Sequence, residues 1–155
     1  HLFYSQQRVG KDGVVFEILK YRTMVKNAES DGAVFTAAND SRVTAFGKFM
    51  RKTRMDEFPQ FINILKGDMA VIGPRPERPI FVKEIAEIMP FYETRHIIKP
   101  GLTGWAQVNY SYGETIDDSL IKLQYDLYYI KHRSIYLDMN IAFKTITTIL
   151  FYRGQ

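Results

Sequence analysis

The period of apolar and polar positions changes along the chain, and each change predicts an element. In VVFEILKYRTM, Val15, Glu17 and Leu19 alternate with Phe16 and Ile18, which predicts a strand ending near Lys20 and Arg22 after a turn at Gly10 and Gly13. From Thr44 to Arg54 the pattern becomes a short basic helix, with Phe46, Phe49 and Met50 on one face and Lys48, Arg51 and Lys52 elsewhere. Phe58, Phe61, Ile62 and Leu65 then recur at i, i+3, i+4, i+7, the mark of a second helix, and Gly67 stops it. Met69 to Ile72 predicts a short buried strand, and Pro79 to Met89 a helix ended by Pro90. A long helix is expected from Thr115 to Lys131, with Ile116, Leu120, Leu123, Leu127 and Ile130 in one stripe, and a last one from Asp138 to Tyr152. Residues 27–41 are small and polar and predict a mobile loop, with no sign of a second domain. In the loop KPGLTGWAQVN, Gly101 and Gly104 permit tight turns and Trp105 is expected to anchor it in the core. The expected fold class is α+β: one mostly helical domain over residues 1–155 with a few short strands.

Pro59 decides where the second helix begins. With Thr53 as its cap the proline would fall beyond the first turn, where its missing N–H and its ring are costly; with Asp56 as the cap it sits harmlessly in turn one. Asp56 is therefore expected to cap this helix, a role worth about 0.5–2 kcal/mol, and Glu57 to favour the positive end of its dipole. Two consecutive carboxylates converge on one ion more easily at such a terminus, whose free N–H groups also attract a phosphate.

The stretch Arg51 to Arg78 sets Asp56 and Glu57 among arginine, lysine, glycine and proline, a layout suited to phosphate chemistry. An aspartate is ionised at neutral pH and needs no general base to act as a nucleophile. A nucleotide diphosphate repels it unless a divalent cation, held through Glu57, and guanidinium groups such as Arg75 and Arg78 neutralise the phosphoryl oxygens, with Arg22 at the end of the predicted strand a further substrate-binding candidate. Pro74 and Pro76 fix φ on either side of Arg75 and present it from a stiff loop, well suited to bidentate phosphate contact. Pairing of Arg75 with Asp68 or Glu77 is the structural alternative. Gln107 and Asn109 offer polar contacts for a sugar or uridine, although such side chains in loops often bond backbone. Asp126 is either a site residue or the i, i+4 partner of Lys122.

Composition narrows the field. Hydrophobic residues make up 46% of 155, enough for a real core, and 11 Phe and 10 Tyr stand against one Trp, suited either to a core or to a membrane boundary. There is no cysteine, which excludes disulfides and thiolate metal sites. A net charge of +4 favours anionic partners: nucleotides, lipid headgroups or nucleic acid. No apolar run approaches the roughly 18 residues of a membrane-spanning helix and no signal peptide opens the chain, so the chain reads as soluble. The start at His1 leads to the expectation of a domain taken from a longer protein.

Taken together, QQRVGKDGVVFEILKYRTM, RVTAFGKFMRKTRMDEFPQFINILKGDMAVIGPRPERP, RHIIKPGLTGWAQVNY and KLQYDLYYIKHRSIYLDMNIAFKTI resemble the bacterial sugar transferase family, the monotopic polyprenyl-phosphate phosphoglycosyl transferases, in its exopolysaccharide branch. The resemblance implies transfer of a sugar 1-phosphate from a UDP-sugar to undecaprenyl phosphate, with release of UMP, at the cytoplasmic face of the bacterial inner membrane, with amphipathic helices at the membrane interface. It implies that Asp56 forms an acyl-phosphate intermediate, that Glu57, with Asp56, holds Mg²⁺, and that Lys20, Arg75 and Asp126 occupy positions associated with activity. Family members also carry an upstream membrane segment. Homo-oligomerisation is left open. Two readings compete with the enzyme: a nucleic-acid-binding module using Arg42, Lys48, Arg51, Lys52 and Arg54, set against by the lack of a base-reading motif, and a peripheral membrane adaptor without chemistry.

Overall fold

The computed structural model describes residues 2–26, 28, 40–110 and 116–150; most of the loop expected at 27–41 lies outside them, as does the end of the last expected helix beyond residue 150. The chain opens with an antiparallel hairpin of β1 (Phe3–Val9) and β2 (Val15–Tyr21), in register from Phe3 opposite Tyr21 to Val9 opposite Val15. A 3₁₀ turn at Lys11–Gly13 joins them, with Asp12 and Gly13 at φ 55° and 77°. β2 matches its alternating pattern. β1 was not anticipated, since FYSQQRV carries too many polar residues to announce a strand.

Helix α1 (Ala45–Lys52) is capped by the Thr44 hydroxyl, which accepts from the Gly47 N–H at 2.9 Å. Gly47 lies so close to the end of β2 that a Cβ there would come within 2.1 Å of the Thr23 carbonyl oxygen, so helix and strand meet backbone to backbone. Arg54 then adopts a left-handed conformation (φ 55°), unusual for a side-chain-bearing residue, and turns the chain into a 3₁₀ segment, Met55–Glu57. Helix α2 (Gln60–Lys66) follows and ends at a left-handed Gly67, φ 87°, as its sequence predicts.

The orientation of α2 inverts the usual rule. Its buried residues are Gln60 and Asn63, 2% and 1% exposed, whereas Phe58, Phe61, Ile62 and Leu65 face outward, Leu65 at 88%. The inversion has a local cause in Asn63. Its Oδ1 accepts from the Leu19 N–H (3.0 Å) while its Nδ2 donates to the Glu17 carbonyl (2.8 Å) and to Asp68 Oδ2 (3.2 Å), so the carboxamide completes the free edge of β2. Phe46 and Phe49 of α1 are exposed as well, and only Met50 of that predicted face is buried.

Strand β3 (Ala70–Ile72) pairs in parallel with β4 (Gly101–Thr103), with α3 (Pro79–Ile88) and a 3₁₀ segment Tyr92–Ile97 between them. Gly73 and Gly104 permit a close approach here: a Cβ on Gly104 would sit 2.1 Å from the Gly73 carbonyl oxygen. Next come α4 (Trp105–Asn109), α5 (Ile116–His132) and α6 (Ile135–Leu150). One core cluster joins Val9, Phe81, Val82, Ile85, Met89, Tyr92 and Leu123; the other joins Tyr129, Leu137 and Ile141, with Trp105 packed against it as expected.

Two expectations for the C-terminal helices need correction. The apolar stripe of α5 is not uniformly its buried face: Leu120 is 44% exposed, whereas Asp126 and Tyr129, which lie off the stripe, are 2% and 1% exposed. The last helix starts before Asp138, because Ser134 Oγ accepts from the Leu137 N–H and caps it. These data establish an α+β domain. Among the described residues no helix is long and apolar enough to cross a membrane.

Candidate active site

Asp56 and Glu57 lie inside the 3₁₀ segment rather than at the cap of α2, whose cap position is Pro59 with no side-chain capping bond. The expected capping role of Asp56 is thereby corrected: the left-handed Arg54 starts the turn two residues early and Pro59, at φ −60°, leads directly into the helix. Both carboxylates are buried, at 8% and 7% exposure, yet their surroundings differ sharply.

Glu57 is held by cations from three parts of the chain. Its Oε1 accepts from Arg75 at 2.8 Å and from Lys20 Nζ at 3.2 Å, and its Oε2 lies 3.8 Å from Arg54. Burial alone would raise its pKa, but the summed charges of Arg75, Lys20 and Arg54 overcome that and hold the carboxyl well below the ordinary range. Glu57 in turn holds the Arg75 guanidinium above its usual value, and burial lowers Lys20 against the pull of Glu57.

Asp56 makes no hydrogen bond and no ion pair among the described residues. Burial pushes its pKa up, a shift that Lys20, Arg51 and Arg75 moderate and Glu57 reinforces. Adjacent carboxylates with pKa values driven in opposite directions are a recurrent arrangement where one group reacts and the other anchors charge. One turn further on, Gln60 is buried with its Nε2 lacking a partner among the described residues.

The loop carrying Arg75 is fastened residue by residue. The Gly73 N–H donates to the Thr103 carbonyl and the Pro74 carbonyl accepts from the Gly101 N–H, both at 2.9 Å. The Arg75 carbonyl accepts from Arg95 at 2.9 Å, and the Glu77 carbonyl from the Val9 N–H at 2.9 Å. Arg75 pairs with Glu57 rather than with Asp68 or Glu77, its sequence-based alternatives.

The structure thus brings Lys20, Arg75, Asp56 and Glu57 together. It places the other expected residues differently. Arg22 follows β2 directly, with its guanidinium 5.5 Å from the Tyr4 ring and a buried Nε that has no hydrogen-bond partner among the described residues. Arg78 stands at the N-cap position of α3 without a side-chain capping bond, its guanidinium lies over the Phe81 ring at 5.6 Å, and its charge, with that of Arg75, acts on Arg8. Gln107 donates to the Leu102 carbonyl of β4; Asn109 donates to the Trp105 carbonyl within α4 and accepts from Lys144 of α6 at 2.7 Å, so both are engaged by the protein itself. Asp126 pairs with Arg95 at 2.7 Å rather than with Lys122.

Arg8, Arg54 and Arg95 are contributors the sequence did not assign to this site. Arg8 is drawn down to about 10 by burial, opposed by Glu77 and assisted by Arg75 and Arg78, which places it in the same cationic wall. At least three of the five cations of the nucleic-acid alternative have internal partners: Arg42 with Asp40, Arg51 with the Thr23 hydroxyl, and Arg54 with Glu57. For a metal, the described residues contain no cluster of three or more His, Cys, Asp or Glu side chains. Asp56 and Glu57 are two adjacent carboxylates, as many as a magnesium ion completed by phosphates and water draws from a protein, and Asp56 is the one of the two without an ion pair among the described residues.

Residues 1–152 match the family model described as bacterial sugar transferase. The chain belongs to the bacterial sugar transferase family. It is 52% identical over 149 residues to the UDP-N-acetylgalactosamine-undecaprenyl-phosphate N-acetylgalactosaminephosphotransferase of Aeromonas hydrophila, covering 96% of this chain and 35% of that protein. It is 42% identical over 150 residues to the UDP-glucose:undecaprenyl-phosphate glucose-1-phosphate transferase of Escherichia coli (strain K12), covering 94% of this chain and 32% of that protein. A shorter relative, the sugar transferase EpsL of Bacillus subtilis (strain 168), is 34% identical with 99% of this chain and 72% of that protein covered. The chain spans about a third of the length of the first two relatives.

Proposed function

We propose that this domain transfers a sugar 1-phosphate from a UDP-sugar to a polyprenyl phosphate such as undecaprenyl phosphate, through a covalent phosphosugar on Asp56. The observation that carries the reading is the asymmetry of the dyad: Glu57 is tied to Lys20, Arg54 and Arg75, whereas Asp56 has no partner among the described residues. The activities for which the Aeromonas and Escherichia relatives are named support the reaction class.

In the first half-reaction an Asp56 carboxylate oxygen attacks the phosphorus that bears the sugar. A new O–P bond forms, the bond to the bridging oxygen breaks, and UMP leaves with that oxygen and its electron pair. In the second, an oxygen of the polyprenyl phosphate attacks the same phosphorus, displaces the carboxylate and yields the diphosphate-linked sugar. Lys20 and Arg75 neutralise the phosphoryl oxygens in both steps, exchanging their bonds to Glu57 for bonds to substrate as the diphosphate arrives. Asp56 and Glu57 are the residues that would hold Mg²⁺, which when bound supplies further positive charge to the phosphates.

The lipid acceptor requires a membrane surface, and the outward-facing Phe46, Phe49, Phe58, Phe61, Ile62 and Leu65 support docking of α1 and α2 on one, with exposed Lys48, Lys52 and Lys66 on the same helices for anionic headgroups. The test is to incubate the full-length protein with a panel of UDP-sugars, Mg²⁺ and undecaprenyl phosphate and to score UMP. Release with one or a few donors, abolished in Asp56→Asn, is expected; undiminished turnover by that variant would contradict the reading.

A further inference from the structure

Asp126, Arg95 and Tyr92 form a buried polar unit behind the Arg75 loop, with 2%, 6% and 3% of their surfaces exposed. Arg95 is its centre. One terminal nitrogen donates to the Tyr92 hydroxyl at 2.7 Å; the other donates both to Asp126 Oδ2 at 2.7 Å and to the Arg75 carbonyl at 2.9 Å. The guanidinium carbon also lies 5.1 Å from the Tyr92 ring. Burial alone would lower the pKa of Arg95, but Asp126 and Tyr92 raise it above its ordinary value and keep it charged.

A buried ion pair of this kind is weak evidence for stability, because desolvation offsets most of its attraction. Its geometry gives it another use. The other carbonyls of the loop, at Pro74 and Glu77, are held by backbone N–H groups of Gly101 and Val9, whereas the carbonyl of Arg75 itself is held by a side chain. A flexible loop would let the Arg75 guanidinium wander by more than the tolerance a phosphate contact allows.

We infer that Arg95, fixed by Asp126 and Tyr92, is a positioning residue that aims Arg75 at the phosphoryl group bound beside Asp56 and Glu57. The inference rests on the proposed function above and gives Asp126 a role, through Arg95 and Arg75, without contact to substrate. Lysine at position 95 would keep the charge opposite Asp126 but lacks the planar fork that serves Tyr92, Asp126 and the loop carbonyl together.

The test is a double-mutant cycle in the full-length protein, with Arg95→Lys made in the native background and in Arg75→Ala, reading kcat/KM for the UDP-sugar and, independently of chemistry, the affinity for UDP by calorimetry. Arg95→Lys is expected to lower both by about tenfold in the native background and to cost almost nothing further once Arg75 is gone. Asp126→Asn, which retains an acceptor for Arg95, is expected to give a smaller loss that also vanishes in Arg75→Ala. Equal fold-losses in the two backgrounds would show a merely structural role and overturn the inference. UMP release that persists in Asp56→Asn would instead overturn the covalent reading, while the calorimetric cycle still decides the role of Arg95. Failure of the native protein to bind UDP would sink both.

Discussion

At residue 56 and its neighbour the chain sets two like charges side by side and gives them opposite fates. Glu57 stays ionised under the charges of Arg75, Lys20 and Arg54, and Asp56 is pushed above the usual 3.8 by burial, with Lys20 as the largest opposing influence. A carboxylate nucleophile acts only when deprotonated, so the acid limb of the kcat/KM profile should rise through an apparent pKa above 3.8. Removing the charge in Lys20→Met should move that limb to higher pH. A limb that moves to lower pH, or stays fixed, would contradict this account of the dyad. The linked effect on stability has the same origin: the raised pKa of Asp56 favours its protonated form in the fold, so its contribution is present at low pH and is lost as pH rises through the folded value.

Among the elements, α2 shows why periodicity alone misplaces a helix face. Its length and its glycine stop follow from the spacing of Phe58 to Leu65 and from Gly67, but the direction it faces was set by Asn63, whose three bonds to Glu17, Leu19 and Asp68 cross a sequence separation of up to 46 residues. No local pattern announces such a bond. The same limit hid Arg95 and Asp126, which are 31 positions apart. The dyad and the Arg75 loop were legible because their chemistry is local: consecutive carboxylates, and an arginine between prolines. Asn63→Ala removes a carboxamide that is 1% exposed and makes three hydrogen bonds, two of them to the edge of β2, and should destabilise the domain by on the order of 3 kcal/mol, read by chemical denaturation. Leu65→Ser and Phe61→Ser face the other way. They should leave stability within about 0.5 kcal/mol of the native value while weakening co-sedimentation with anionic phospholipid vesicles; a large loss of stability with unchanged vesicle binding would contradict an outward, membrane-docking face.

At the scale of the molecule, the hairpin, two small cores and, among the described residues, six α-helices gather the catalytic candidates from distant segments: Lys20 from β2, the dyad from the turn before α2, and Arg75 from the loop after β3, with Arg95 and α5 behind it. The apolar surface of α1 and α2 flanks the turn that carries the dyad in sequence, as the proposed transfer from a water-borne donor to a lipid acceptor requires. The claim on which this account turns is that Asp56 becomes covalently phosphorylated. The direct measurement is intact-protein and peptide mass spectrometry of the full-length protein after brief exposure to its UDP-sugar and Mg²⁺ without lipid acceptor. The account predicts a mass increase of one sugar phosphate, mapped to Asp56, absent from Asp56→Asn and discharged by undecaprenyl phosphate. Turnover to UMP and lipid-linked product with no adduct on Asp56, under conditions that trap acyl phosphates, would contradict it.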